Sequence, residues 1–140
     1  EMAVKSLQAR AIDINKALLS GRLEKALEIV NTLFEMQEEP VSMVSAISSQ
    51  FVDLYRVKCA KTAGLNFSEV GKDFDYKRRE FVLSNASAEC ARFKESQLRQ
   101  AIDICLDTDY KLKSSSADGR MLIEELLIKL LVILRGGGNA

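Results

Sequence analysis

The side chains that could do chemistry in this 140-residue chain are carboxylates, thiols, amines and hydroxyls, because the sequence contains no histidine. The lack of histidine excludes Ser-His and Cys-His nucleophile pairs, imidazole metal sites and the Glu-x-x-His pattern of di-iron bundles. No glycine-rich loop of the phosphate-cradling type occurs, since the only glycine cluster is the terminal "RGGGNA". The sequence therefore predicts no catalytic residue, no metal site and no cofactor.

Two charged groups resemble sites but are better interpreted as solvated surfaces. Asp103 and Asp107 lie four residues apart on one predicted helix, where like charges repel and no third ligand joins them. The stretch "KDFDYKRREF", residues 72–81, gathers four cations near aromatic residues and follows a short predicted helix. It could therefore be the second half of a helix-turn-helix that touches a phosphate backbone. Three carboxylates in the same stretch cancel most of its charge, which favours a salt-bridged helix entry.

Asp109 is the charged residue that a solvated surface does not explain. Leu98, Ile102 and Cys105 form a stripe that places it on the apolar face of a predicted helix. An ionised carboxylate there needs a partner, either Lys113 one turn later or N–H groups at the start of the next helix. We expect Asp109 to be at least half buried, to bond one or both of these donors, and to fix how two helices meet. Asp109→Ala should then cost on the order of 1 to 3 kcal/mol, whereas Asp103→Ala should cost little.

The elements that must position these residues all follow the helical period. There is one proline, glycines are few, and no window alternates apolar with polar residues over the length of a strand. The sequence predicts an all-α fold, a single compact bundle of about seven helices. Their apolar residues lie within 4–18, 23–34, 44–54, 67–70, 83–93, 98–112 and 121–134. Ser20 and Gly21 form the predicted corner between the first two, Pro40 opens the third, and Gly64 follows its end.

Charge and cysteine content restrict the possible partners and compartment. Twenty basic residues balance twenty acidic ones, so no overall field draws the chain to nucleic acid or to an anionic membrane, and DNA binding should be weak. The three cysteines are odd in number and far apart, which is typical of reduced thiols in a cytoplasmic protein. The apolar run 121–134 is interrupted by charges and is shorter than the roughly 20 residues of a membrane span.

The run 121–134 has apolar residues nearly all round its helix. One side of a small bundle usually needs less apolar surface than this. The favoured interpretation is a central core helix, and the other is a helix with one face against another subunit. Leu126, Leu130 and Ile133 are the candidate interface residues.

Two long stretches carry a resemblance to a known family. They are "DINKALLSGRLEKALEIVNTLFEMQEEPVSMVSAISSQFVDLYRVK" and "ARFKESQLRQAIDICLDTDYKLKSS". The chain resembles the C-terminal collar domain of the delta subunit of bacterial DNA polymerase III, part of the sliding-clamp loader. The family shows a Gly turn between two helices and a Pro-led third helix with a Gln-Phe pair, matched by Gln50 and Phe51. Near its end it shows an Asp and then Leu-Lys, matched by Asp109, Leu112 and Lys113.

The resemblance implies an assembly domain. Residues 1–135 would form the collar-like domain and residues 136–140 a flexible glycine-rich tail, after an upstream ATPase-like module and a lid. Collar domains of several subunits would pack together, so the partners are other clamp-loader subunits. The sliding clamp would be bound only through the upstream part, and DNA weakly or indirectly. The segment would not be an enzyme, although the full-length subunit would belong to the DNA polymerase III holoenzyme.

Two other classes of function stay open at this point. A free-standing helical adaptor would be a monomer or homodimer with no affinity for clamp-loader subunits. A helix-turn-helix-like nucleic-acid-binding domain would show a basic face and salt-sensitive DNA binding. An enzyme is the least favoured class.

Overall fold

The computed structural model describes residues 6–64 and 90–136, and all regular secondary structure in these two ranges is helical. There are five α-helices and one 3₁₀ turn. The helices are α1 (Leu7–Leu19), α2 (Leu23–Glu35), α3 (Pro40–Thr62), α4 (Glu95–Ser114) and α5 (Gly119–Leu134), with the 3₁₀ turn at Cys90–Arg92 before α4. The all-helical prediction therefore agrees with the described part of the chain.

The predicted number of seven helices is not matched. The short helix expected at 66–70 and most of the one expected at 83–93 fall outside the described residues. Where the latter was expected to end, the chain instead forms the 3₁₀ turn, in which the Phe93 N–H donates to the Cys90 carbonyl at 3.2 Å. Lys94 is then extended and α4 begins at Glu95. Buried residues lie on both sides of this break, so the apolar spacing continues across it and does not indicate where a helix ends.

The corner between α1 and α2 is a Schellman motif. Gly21 has a φ of +74°, which a residue without Cβ adopts freely. Its N–H donates to the Leu18 carbonyl at 3.0 Å, and the Arg22 N–H donates to the Ala17 carbonyl at 2.8 Å. The predicted corner at Ser20 and Gly21 is confirmed.

The end of α2 uses the same motif without a glycine. Gln37 has a φ of +66°, its N–H donates to Phe34, and the Glu38 N–H donates to the Leu33 carbonyl at 3.0 Å. Pro40 then occupies the first turn of α3, as predicted, where a missing N–H costs nothing. Two short connections thus join the three helices in sequence, and α1 packs against both α2 and α3.

Helix α5 lies at the centre of the bundle. It contacts α1, α2, α3 and α4, and α3 packs most extensively against α4. The apolar residues of α5 with less than a tenth of their surface exposed are Leu122, Ile123, Leu126, Leu127, Leu130, Ile133 and Leu134. The favoured prediction of a central final helix is confirmed.

Candidate interaction surface

The outer face of α5 exposes a stripe of apolar side chains. Met121, Ile128 and Val132 are 65%, 49% and 47% exposed, and their spacing of seven and four residues lines them along one side of the helix. Glu125 and Lys129 lie between them and form an exposed ion pair at 3.8 Å. We call Met121, Ile128 and Val132 the α5 stripe. Aliphatic side chains held by a central helix can bury against a partner with little loss of backbone freedom.

The three residues predicted at a subunit interface do not lie on this stripe. Leu126 and Leu130 are fully buried and Ile133 is 6% exposed, so all three pack within their own domain. The prediction of these residues as interface residues is therefore corrected. Its cause is that α5 is apolar nearly all round, so the sequence did not reveal which side faces inward.

The start of α5 is attached to α2 by Arg120. Its guanidinium donates from Nη1 and Nη2 to Oδ1 of Asn31, at 3.1 and 2.7 Å, and lies 4.8 Å from the ring centre of Phe34. The preceding Asp118 caps the helix, since its Oδ1 accepts the Arg120 N–H at 3.0 Å. Sequence reasoning missed Arg120, because its partners lie 89 residues away in the chain and no local pattern connects them. Its contacts tie the start of α5 to α2, while the buried side of α5 sets the direction of the α5 stripe.

Asp109 pairs with Lys113 but not with the next helix. Its carboxylate lies 3.0 Å from the Lys113 Nζ, and the Asp109 side chain is 27% exposed. The expected half burial and the expected lysine partner are both confirmed. The start of α5 is capped by Asp118 instead, and the pair lies within α4, so Asp109 does not fix how α4 meets α5. Asp103 is exposed, as expected.

The remaining family-signature residues lie in structural positions. Phe51 is 2% exposed and belongs to the core, while the half-buried Gln50 places its Nε2 3.5 Å from the Ala46 carbonyl of its own helix. Leu112 packs against the core from the end of α4. These side chains therefore support the fold and do not converge on one site.

The chemically active groups of the described residues are separate from one another. Asp107 pairs with Lys111 at 3.1 Å on the surface of α4, and Asp103 is not in this ion pair. Within residues 6–64 and 90–136, no three His, Cys, Asp or Glu residues are close enough to hold a metal ion. Cys59 and Cys105 are free thiols, Cys90 is buried, and burial raises the pKa of the Cys105 thiol to about 12. The basic stretch 72–81 lies outside the described residues.

Comparison with known proteins identifies the family of this chain. The family model of the DNA polymerase III delta subunit, C-terminal domain, matches residues 8–130, which is most of the chain. The chain belongs to this family. The match includes α1 to α4 and most of α5, so the helices described above are those of a delta C-terminal domain.

A relative and a solved structure agree with this assignment. The DNA polymerase III subunit delta of Bacillus subtilis is 24% identical over 130 residues, which cover 93% of this chain and 37% of that protein. The chain thus spans little more than a third of the length of this curated relative. The structure of the Bacillus subtilis DNA clamp loader delta protein matches with a TM-score of 0.83 at 24% identity, over 93% of this chain and 38% of that one. It shows that this delta C-terminal domain has the same fold. In residues 6–64 and 90–136 of the present chain, no helix combines the length and apolar character needed to cross a membrane.

Proposed function

We propose that this delta C-terminal domain is a collar domain, which assembles with the other subunits of a clamp loader. The observation that carries the proposal is the α5 stripe. Its three apolar side chains are each about half exposed or more, although they belong to the central helix of the domain. The family of this domain is that of a DNA polymerase III subunit. Exposed apolar residues that share one face of a rigid helix are typical of protein interfaces.

The contacts around the stripe suit a permanent interface. Arg120 holds the start of α5 against α2, and the buried side of the same helix fixes it in the core. The flanking Glu125 and Lys129 would lie at the rim, where they add specificity more than affinity. The interface proposed from sequence thus stays on the predicted helix but moves from Leu126, Leu130 and Ile133 to the opposite side.

The wider setting follows from the same proposal. In the full-length protein, an ATPase-like module and a lid would precede residues 1–135, and residues 136–140 would be a flexible tail. The sliding clamp would be bound by the upstream part, and DNA would be contacted weakly or indirectly. The subunit would belong to a bacterial DNA polymerase III holoenzyme in the cytoplasm, and this segment would contribute no catalysis.

A charge placed on the stripe tests the proposal. We expect Ile128→Glu plus Val132→Glu, in the full-length subunit, to weaken binding to the other loader subunits at least about tenfold, because two buried aliphatic contacts would be replaced by charge. The matched control is Leu106→Glu plus Tyr110→Glu on the outer face of α4, where the two side chains are 60% and 69% exposed. Complex formation is measured by size-exclusion chromatography with light scattering and by biolayer interferometry. Full assembly of the α5 variant, or equal loss in both variants, would contradict the proposal.

A further inference from the structure

A groove of about 450 Å³ runs between α1 and α2, on a different part of the surface from the α5 stripe. Its charged lining residues are four cations and two carboxylates, in a chain whose overall net charge is zero. The cations are Arg10, Lys16, Arg22 and Lys25, and the carboxylates are Asp13 and Glu28. The groove is therefore a locally positive surface that the balanced composition conceals.

The cations of the groove are available to a ligand. The salt bridges found among the described residues join other side chains, on α4 and α5. Lys16, Arg22 and Lys25 are exposed, and the Nε of Arg10 is buried with no hydrogen-bond partner. Arg10 lines the groove, so its positive charge contributes to the field there although its Nε is enclosed.

The local backbone adds to the positive field. Helix α2 begins beside the groove, and the side chain of its N-cap residue, Arg22, makes no capping bond. No side chain therefore caps this helix end by a hydrogen bond, although Glu24 in the first turn offsets part of its partial positive charge. Arg135, at the end of α5, also lies against this corner, because a Cβ on Gly21 would overlap its Nη1.

The other lining residues indicate the class of ligand. No aromatic side chain lines the groove, so it has no platform on which nucleic-acid bases could stack. Ala17 and Ile29 supply apolar surface for one aliphatic side chain. From Arg10 to Ser20 the α1 wall is about 15 Å long, which matches roughly four or five residues of extended peptide.

We propose that the α1–α2 groove binds an acidic protein segment: a short extended peptide with several carboxylates around one aliphatic side chain. This site is independent of the proposed collar assembly, since it uses different helices and different residues. Binding is electrostatic and occurs at an open surface, so it weakens as ionic strength rises.

The test measures fluorescence anisotropy of a labelled peptide, in which glutamates flank one leucine, with the full-length protein. The glutamate peptide should bind, its glutamine counterpart should not, and raising NaCl from about 50 to about 500 mM should weaken binding at least about tenfold. Lys16→Glu plus Lys25→Glu should weaken binding to a similar extent. Lys58→Glu plus Arg99→Glu, which makes the same change of charge outside the groove, should alter it less than about twofold.

Three outcomes would overturn the proposal. They are no binding of the glutamate peptide, equal loss in the groove variant and its control, and tighter binding of a dT oligonucleotide that the groove variant abolishes. The last would assign the groove to single-stranded nucleic acid. Circular dichroism and thermal unfolding check that both variants are folded, since Lys16, Lys25 and Arg99 are exposed but Lys58 in the control is half-buried.

Discussion

The side-chain amide of Gln97 connects the first turn of α4 with the last turn of α5 through Ile133. Its Nε2 donates to the Ile133 carbonyl at 2.9 Å, and its Oε1 accepts the Lys94 N–H at 2.8 Å. Gln97 is buried, and both polar groups of its amide have partners. A buried amide in this state holds two helix ends together, whereas an unpartnered one would only carry the cost of desolvation.

Gln97→Met should therefore destabilise the domain. Methionine has a similar length and no polar group, so the variant removes the acceptor of the Lys94 N–H and the buried hydrogen bond to the Ile133 carbonyl. We expect the free energy of unfolding to fall by about 1 to 3 kcal/mol. Urea unfolding followed by circular dichroism measures it, and an unchanged midpoint would contradict the role given to this amide.

Asn15 provides the matched comparison. It is 6% exposed on α1, yet neither its Oδ1 nor its Nδ2 has a hydrogen-bond partner. Asn15→Leu removes two unsatisfied polar atoms while keeping the branched shape, so stability should be unchanged or raised by up to about 1 kcal/mol. A loss as large as that of Gln97→Met would mean that Asn15 has a partner in solution, such as water.

Gln37 and Gly21 test the two Schellman motifs in opposite directions. Gln37 has a φ of +66°, which costs a residue with a Cβ energy that glycine avoids. Gln37→Gly should raise the free energy of unfolding by about 0.5 to 1 kcal/mol, part of the gain being offset by the greater freedom of glycine in the unfolded chain. Gly21→Ala should lower it because alanine pays the φ penalty, while the exposed Arg135 side chain can shift away from the new Cβ. Thermal unfolding measures both, and a shift of the same sign in the two variants would contradict the prediction.

The Cys105 thiol predicts a dependence of stability on alkaline pH. Burial raises its pKa from 9.0 to about 12, so between these values the unfolded chain loses a proton that the folded protein keeps. The contribution of the buried thiol to the free energy of unfolding is fully present below pH 9. It is lost as pH rises towards 12, at about 1.4 kcal/mol per pH unit. Urea unfolding of the protein and of Cys105→Ala under reducing conditions should show the difference between them decreasing above pH 9. A constant difference would contradict this.

The Asp109–Lys113 pair should contribute less stability than its sequence position suggests. The lysine side chain is 60% exposed and lies one turn from the carboxylate on the same helix. Pairs of this kind are worth about 0.3 to 0.5 kcal/mol. Asp109→Asn should therefore cost less than about 1 kcal/mol, close to the effect of Asp107→Asn in the similar pair with Lys111. High salt should reduce both effects, and a loss of 2 kcal/mol or more at Asp109 alone would restore the earlier expectation.

Much of the fold could be read from the sequence because its signals are local. The corner at Gly21, the start at Pro40 and the helical period depend on residues within a few positions of one another. The inward side of α5 could not be read, because Leu126 and Ile128 are equally apolar and only packing distinguishes them. The partners of Arg120 and Gln97 are also distant in the chain, and their side chains have many possible acceptors.

The candidate sites were less predictable for the same reason. A groove that requires Arg10 on one helix and Lys25 on another is a property of two packed surfaces, and a net charge of zero gives no sign of it. For Asp109, the sequence correctly indicated burial and the neighbouring lysine. It could not show that Asp118 already caps the next helix. The prediction thus failed because Asp109 and Asp118 were both possible acceptors for the N–H groups at the start of α5.

The central position of α5 has a consequence for synthesis on the ribosome. All four helices that surround it are translated first, and each of them packs against it. The α1–α2 hairpin can form early through its own corner, and α3 can cover part of α1, but the side that faces α5 stays uncovered until α5 emerges. A nascent chain that stalls before Met121 therefore presents an open core to chaperones and proteases, so that only complete translation of this helix yields a domain that escapes them.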